Sequence, residues 1–438
     1  CAGQMNSAIT FPAFENGHEV RLVGSPLDRD IIDGLKKDNF HITLKRTLHD
    51  GIKYYQIEEL EEALKGADLV LGGVSSFGLD WFCDEILPVL PEDVPVLTVT
   101  KGMVDLEDGT LVPYPHIFAQ RQPEGKHLNL NAIGGPCTSY ELADHDDSHV
   151  AFCGKDIETL KYIKSLLETD YYHISLSTDV VGVECAVAMK NAYALGVSLA
   201  VGLAEKRDGK IGSQHYNSQA ALFGQSVKEM TKLLELIGGK PENIIHGAGD
   251  LYVTIFGGRT RKIGTLLGRG LTFDQAMEEL QGVTLESIVI ATRTARAVRK
   301  LAERGVEIAR VQVAELDAIF TTELLSSIHS EYKGSVKGGG VWAVVADSSH
   351  AVFVEFGTGV IGKAQPYKGT LPEGVTWEYA SGKTIRQLAD GRYGWFYKGK
   401  DGNWYFTEGM PSRPFMYETS LELMQEIPQI AKKVFGGR

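Results

Sequence analysis

From the start to about residue 178, short apolar runs alternate with stretches of helical period. That is the pattern of a doubly wound α/β fold around a parallel sheet. Strands are predicted at His18 to Val23, Leu69 to Leu71, Val94 to Val99, Leu130 to Ile133 and Val150 to Cys153, each bounded by Gly, Pro or charge. Between them, Ile57 to Leu64 sets Ile57, Leu60, Ala63 and Leu64 on one helical face, opposite Glu58, Glu59, Glu61 and Glu62. From Gly182 the period is helical throughout, with long segments at Ser218 to Ile237, Thr272 to Leu280 and Ile288 to Glu303. After Phe320 strands return at Val341 to Ala346, Ala351 to Phe356, Tyr393 to Tyr397 and Trp404 to Phe406, with Lys337 to Gly340 as a turn or joint and a last helix to Lys433. Three domains are expected: a doubly wound α/β domain at 1–178, an all-helical domain at 179–320 and a small aromatic-rich α+β module at 321–438.

Composition sharpens the last boundary. Residues 1–320 hold 31 Lys+Arg against 45 Asp+Glu, net −14, whereas 321–438 hold 13 against 12, net +1; together these give the chain's −13. The last segment also holds 17 of the 39 aromatic residues, four of the five Trp and no Cys. A hydrophobic content of 43% in 438 residues is that of a globular chain. The acidic balance disfavours nonspecific nucleic-acid binding, which needs clustered cations. The five cysteines lack CxxC spacing, fitting reduced core thiols rather than disulfides or zinc. The most apolar stretch, Gly182 to Leu203, is interrupted by Glu184, Lys190 and Asn191, so no membrane span is expected. With no basic apolar leader, a cytoplasmic location is expected.

Candidate chemistry begins at Cys1-Ala-Gly3-Gln4-Met5-Asn6, ahead of an apolar helix and the strand ending at Val23. A Gly-x-Gly-x-x-Gly turn lets helix N-terminal amides approach a pyrophosphate. Here only Gly3 is present, with Cys1 and Asn6 at the other glycine positions, and the first strand of the sheet is expected to be missing. About 20 residues on, Gly24-Ser25-Pro26-Leu27-Asp28-Arg29 stands where an adenosine ribose is read: Asp28 suits a 2′-hydroxyl, Arg29 a 2′-phosphate, and the choice stays open. Lys190 lies in a helix apolar on nearly every face, beside Asn191. A buried ammonium is a site candidate, and snorkelling from a helix edge is the equal alternative.

The deciding segment is Gly247-Ala-Gly-Asp250-Leu-Tyr-Val-Thr254-Ile-Phe-Gly-Gly-Arg259-Thr260-Arg261-Lys262-Ile-Gly264. With Lys101-Gly102, Gly135-Pro136, Glu141 and Leu285-Glu286, it resembles the NAD(P)-dependent glycerol-3-phosphate dehydrogenases over residues 1–320. The resemblance implies a Rossmann-like sheet, a helical substrate domain, and hydride transfer between NAD or NADP and dihydroxyacetone phosphate or glycerol 3-phosphate. It implies Lys190 as acid and base with Lys101 and Asp250 around the substrate oxygen. Asn191, Thr254, Arg259 and Thr260 would hold substrate, Arg259 taking the phosphate. Gly3, Gln4, Met5, Ser25, Ser76, Lys101 and Glu286 would hold the cofactor, and no metal is implied. Thr260 departs from the family's usual Asn, so an altered polar contact is expected there. A 2-hydroxy acid or 6-phosphogluconate type of dehydrogenase would lack the Gly-Asp-Leu and Gly-Arg pair.

Further on, His350, Glu355-Phe-Gly-Thr-Gly359 and Gly409-Met-Pro-Ser-Arg-Pro-Phe-Met416 resemble small phage tail-completion or head-tail joining proteins. That resemblance implies a structural module able to self-assemble, and as an alternative a virion protein carrying a joined dehydrogenase segment. An aromatic-rich module packed on the enzyme is the competing reading. His350 and Glu355 are expected at exposed loop and strand positions, no third metal ligand standing at suitable spacing. The partners expected are a small phosphate substrate, neither nucleic acid nor membrane; homo-oligomerisation is admitted but not required.

Overall fold

A computed structural model describes residues 1–106, 111–280, 285–318, 322–336, 339–371, 374–379, 385–399 and 401–435. Two compact units divide the chain, one from Cys1 to Ala295 with the last residues from Ala431, the other from Arg296 to Ile430.

The first unit opens with α1 (Gln4–Glu15), β1 (Arg21–Val23), α2 (Arg29–Asp38) and β2 (Lys53–Tyr55). Then follow β3 (Val70–Gly72), β4 (Val96–Thr98), β5 (Leu130–Gly134), β6 (Ser148–Gly154), α3 (Ile157–Leu167) and β7 (Tyr172–Ser177). Five of these strands make one sheet in the order β7-β6-β5-β4-β3, and β1 pairs with β2 in a separate parallel ribbon. Val96 packs in the cluster of Phe82, Leu87 and Phe118, whereas its neighbour Leu97 packs with Ile9, Phe152 and Leu160. Successive residues of a strand point to opposite faces, so both faces of this sheet are buried, as a doubly wound fold requires.

One strand pair departs from the expected parallel sheet. β3, β4 and β5 are parallel, as are β6 and β7, but β5 and β6 are antiparallel, with Gly134 opposite Ala151. Residues 135–147 hold only the short helix Ser139–Ala143. A parallel return needs a longer crossover, so the chain reverses instead.

The rest of this unit is helical, as the pattern predicted: α4 (Val180–Asp208), α5 (Tyr216–Leu236), α6 (Ile244–Phe256), α7 (Gly258–Arg269), α8 (Phe273–Glu279) and the beginning of α9 (Glu286–Glu315). Asp179 caps α4 through the Gly182 amide at 2.9 Å, and Gly209 ends it at φ 64°. By length and composition α4 suffices to cross a membrane, but Val183, Ala186, Val187, Val197 and Val201 are buried among neighbouring elements. Its partner α7 lies unusually close: a Cβ at Gly202 would come within 2.0 Å of the Thr265 carbonyl oxygen. Any larger residue there would drive the two helices apart.

The second unit begins inside α9, at Arg296. It contains the hairpin of β8 (Ile328–Val336) and β9 (Gly339–Ala346), α10 (Ala351–Phe356), the sheet β10 (Arg386–Gln387), β11 (Tyr393–Lys398) and β12 (Trp404–Thr407), and most of α11 (Phe415–Phe435). Val306, Ala309, Val313, Ile328, Val354 and Phe415 share its core. Of the expected joint, Gly339 and Gly340 belong to β9, while Lys337 and Gly338, like Phe320, lie outside the described residues.

Ala351 to Phe356 is a helix where a strand was expected. The burial explains the difference: Ala351, Val354 and Glu355 are buried whereas Val352 and Phe353 are exposed, a spacing of three and four rather than two. Glu355 is therefore not at an exposed strand position. Its carboxylate accepts the amides of Met416 at 2.8 Å and Tyr417 at 3.0 Å in the first turn of α11. His350 precedes α10 and is half-buried.

Candidate active site

The site starts from a close approach of α4 and α6. A Cβ at Gly247 would lie 2.8 Å from the Ala186 carbonyl oxygen, so the absence of a side chain lets the two backbones touch. One turn further along each helix, Lys190 and Asp250 face each other, and the Lys190 ammonium donates to Asp250 Oδ1. The other oxygen, Oδ2, accepts from Lys101 Nζ at 2.9 Å, and Lys101 also donates to the Gly135 carbonyl at 2.8 Å. Pro136 packs on Gly249, where a Cβ would lie 2.9 Å from its Cγ. Asp250 is 2% exposed.

Two ammonium groups thus share one buried carboxylate. Burial acts most strongly on both lysines and disfavours their charge. For Lys190 it prevails over the attraction of Asp250, with repulsion from Lys101 adding to it, and the pKa is lowered. For Lys101 the attraction and hydrogen bond of Asp250 outweigh burial, and the pKa is raised. The arrangement separates a lysine that keeps its proton from one that gives it up more readily, as acid–base work at an active site requires.

A cavity of about 250 Å³ opens on this cluster, and Met5, Ser76, Lys101, Cys137, Lys190 and Asn191 are among its walls. The first turn of α1 begins beside Met5, with Gly3 at its N-cap, no side-chain cap, and open space around the Gly3 Cα. Helix amides and dipole favour an anion at such an end. Gln4 lies on the same turn, its side-chain amide donating to the Thr43 carbonyl at 2.7 Å. Asn6 fills the place of a third glycine and donates to the Cys1 and Gly73 carbonyls at 2.9 and 3.2 Å. Its side chain therefore ties the α1 turn to the end of β3.

Ser25 lies outside that cavity, in the loop after β1, where its amide and hydroxyl bond Asp28 Oδ2 at 2.8 and 2.7 Å. The Ala2 amide donates to the same oxygen at 3.0 Å. Arg29 pairs with Glu58 on the surface. Thr254 donates to its own helix at the Asp250 carbonyl, 2.7 Å away. Beyond it the chain breaks at Gly257 and starts α7, whose first turn carries exposed Arg259 and buried Thr260 with no side-chain cap. Thr254, Arg259 and Thr260 do not line the cavity. The side chain of Glu286 lies outside the described residues.

Sequence reasoning passed over Glu184. It is fully buried six residues before Lys190, and burial raises its pKa to about 8, aided by Asp250 and opposed by Lys101. Burial thus disfavours the charged carboxylate there. The signal was available, since a charged residue inside an apolar helix singled out Lys190 by the same argument. Thr100 was also missed; its hydroxyl exchanges hydrogen bonds with the Val74 amide and carbonyl, both at 3.0 Å, and so holds two walls of the cavity together.

Comparison with known proteins adds an independent line. Residues 2–159 match the family described as NAD-dependent glycerol-3-phosphate dehydrogenase N-terminus, and residues 179–321 match its C-terminus. An NADP(+)-dependent glycerol-3-phosphate dehydrogenase of Archaeoglobus fulgidus is 32% identical over 282 residues, covering 64% of this chain and 82% of that protein. A glycerol-3-phosphate dehydrogenase [NAD(P)+] of Streptococcus sanguinis is 30% identical, covering 69% and 84%. Among solved structures, glycerol-3-phosphate dehydrogenase from Coxiella burnetii superposes with a TM-score of 0.58 at 22% identity, covering 69% of this chain and 87% of that one, a likeness of fold. The two family matches end at residue 321, so they assign no family to the remainder, and the phage-protein resemblance gains no support from them.

Proposed function

The chain belongs to the NAD-dependent glycerol-3-phosphate dehydrogenase family, and on that premise we propose that it interconverts dihydroxyacetone phosphate and glycerol 3-phosphate with NAD(H) or NADP(H). The observation that carries the reading is the cavity between the α1 N-terminus and the Lys101–Asp250–Lys190 cluster. It brings an anion-binding helix end and a proton donor to one space.

The reduced nicotinamide, when bound, supplies the hydride that reduces the substrate carbonyl. This chain's residues do the rest. Lys190 gives its proton to the oxygen as negative charge develops on it, and takes it back in the oxidative direction. Lys101 keeps its proton, because Asp250 and the Gly135 carbonyl hold it, and stabilises the same oxygen electrostatically. Asp250 orients both ammonium groups and offsets part of their charge. Asn191, beside Lys190 in the cavity wall, offers amide hydrogen bonds to a substrate hydroxyl.

Gly3, Gln4 and Met5 form the helix turn that receives the cofactor pyrophosphate, with Ser76 and Lys101 across the cavity and Glu286 at the start of α9. Ser25 belongs to the ribose end, with Asp28 and Arg29. Arg259, exposed in the uncapped first turn of α7, takes the substrate phosphate, with Thr254 and Thr260 assigned to substrate beside it. The domain limits 1–178, 179–320 and 321–438 go with this division of labour. The five free cysteines support a reducing, cytoplasmic setting. For 321–438, the exposed Tyr393, Phe396, Tyr397, Trp404 and Tyr405 support a self-assembling surface. The deciding experiment is oxidation of NADH and NADPH on addition of dihydroxyacetone phosphate; no turnover with either cofactor would overturn the reading.

A further inference from the structure

NAD and NADP differ by one group, a phosphate in place of the hydroxyl at the adenosine 2′ position. The corner that would read it lies where the loop after β1 meets the first turn of α2. Asp28 Oδ2 accepts from the Ser25 amide and hydroxyl at 2.8 and 2.7 Å and from the Ala2 amide at 3.0 Å, so the loop is tied to the turn that leads into α1. Arg29 follows Asp28 and is the first residue of α2. Its guanidinium is the group there that suits a phosphate.

That guanidinium is already engaged. Its two terminal nitrogens donate to the two oxygens of Glu58, Nη1 to Oε2 at 3.4 Å and Nη2 to Oε1, the same bidentate grip that a phosphate would need. Glu58 comes from another part of the chain, the turn Ile57–Glu59 after β2. Gln56 docks this turn on α2: its side-chain amide donates to the Asp33 carboxylate at 2.9 Å and to the Arg29 carbonyl at 3.3 Å. Glu59 accepts the Gln56 backbone amide at 2.8 Å and Lys36 of α2 at 3.2 Å. The turn is thus held by contacts that do not involve Glu58, and the fold itself delivers the Glu58 carboxylate to Arg29. Both side chains are exposed, so the pair contributes little to stability. What it changes is the charge that a ligand meets. A 2′-phosphate must take Arg29 from Glu58 and then lie beside an unpaired carboxylate, with Asp30 and Asp33 on the same helix. A 2′-hydroxyl needs no cation and can donate to a carboxylate.

We propose that Glu58 is a specificity-determining residue of this site: by occupying the Arg29 guanidinium it selects NAD(H) over NADP(H). The inference rests on the dehydrogenase reading and deepens it, naming the cofactor and the residue that chooses it. Glu58 acts on the nucleotide through Arg29 and is a positioning residue, not a catalytic one.

The test is fluorescence titration of the full chain with NADH and with NADPH, read as the ratio of the two dissociation constants. The parent is expected to bind NADH the more tightly. Glu58→Gln keeps the size of the side chain and removes its charge. It is expected to lower the NADPH Kd relative to the NADH Kd by about fivefold or more, the scale of an exposed ion pair released together with one like charge. In the double variant Glu58→Gln, Arg29→Ala the gain should vanish, because the phosphate then has no guanidinium to take. A role for Glu58 in holding the turn alone would move both nucleotides together, and an unchanged ratio would overturn the proposal. So would a gain that survives the loss of Arg29, or a parent that prefers NADPH. Binding of both nucleotides by the parent without preference would overturn the proposal alone, whereas binding of neither would overturn it together with the dehydrogenase reading.

Discussion

Gly247 and Ala186 touch so that Asp250 and Lys190 can meet: the glycine contact sets the spacing of α6 and α4, and the ion pair stands one turn beyond it. A Gly247→Val substitution would put its Cβ inside the Ala186 backbone, which no rotamer change relieves. The helices must separate, and the ammonium loses its carboxylate. Turnover is expected to fall by on the order of a hundredfold while the chain stays folded by circular dichroism. Unchanged turnover would show that the pair does not depend on this contact.

Lys190→Ala is expected to lower kcat by on the order of a hundredfold or more, as for loss of a positioned acid, with cofactor affinity nearly unchanged. The check is kcat against NADH Kd for variant and parent. If kcat holds, the proton comes from elsewhere, and Lys101 is the next candidate.

Arg259→Ala is expected to raise KM for the phosphate substrate by tenfold or more, about 1.4 kcal/mol or above, because a guanidinium–phosphate contact forms on binding as well as in the transition state. A fall in NADH affinity with unchanged KM would place Arg259 at the cofactor instead.

Glu184 gives the chain a dependence on pH whose sign can be worked out. Its folded pKa of about 8 lies above the usual carboxyl value of 4.5, so the folded state holds a proton that the unfolded state has lost. Its contribution is fully present below pH 4.5 and is lost as pH rises through 8. Between pH 4.5 and 7 the loss is on the order of 3 kcal/mol. Glu184→Gln keeps the shape and removes the titration, so its stability relative to the parent should improve steadily from pH 5 to 8. Parallel stability curves would exclude an ionisable Glu184 as the cause.

Much of this was legible in the sequence, for reasons that differ by element. The five strands named in the α/β region were visible because each is a short apolar run between breakers, and Lys190 because it interrupts an apolar helix. β7 also carries a readable signal, Tyr172-His-Ile-Ser-Leu-Ser177 alternating strictly, although it was not among the expected strands. The partnership of Lys190 with Asp250 was not readable from local pattern, since 60 positions separate them and the packing of their two helices, with Gly247 on Ala186, brings them together. Ala351 to Phe356 misled because Val and Phe favour strands locally, whereas burial of Ala351 and Val354 selects a helix. The second unit's start within α9 left no mark in composition, because Val306, Ala309 and Val313 belong to the same helical period as the residues before them.

Glu355 supports the last prediction, in the second unit. Its two carboxyl oxygens each accept one backbone amide, from Tyr417 and Met416 in the first turn of α11, where a helix leaves its amides unpartnered. Burial raises its pKa to about 7, and the two amides pull it down less strongly. Glu355→Gln retains one acceptor but turns an NH₂ group toward the second amide, leaving two donors face to face in a buried position. The cost is expected at about 1–3 kcal/mol, and Glu355→Ala should cost at least as much because both amides are then unmet. Four of the five tryptophans lie after residue 320, and Trp377 packs on Phe356 with ring centroids 5.2 Å apart. Tryptophan fluorescence during urea unfolding therefore reports chiefly on this unit, while NADH titration reports on the first. The expected outcome is an earlier fluorescence transition in both variants with NADH affinity unchanged; a transition equal to the parent's would show that water satisfies the two amides as well as Glu355 does.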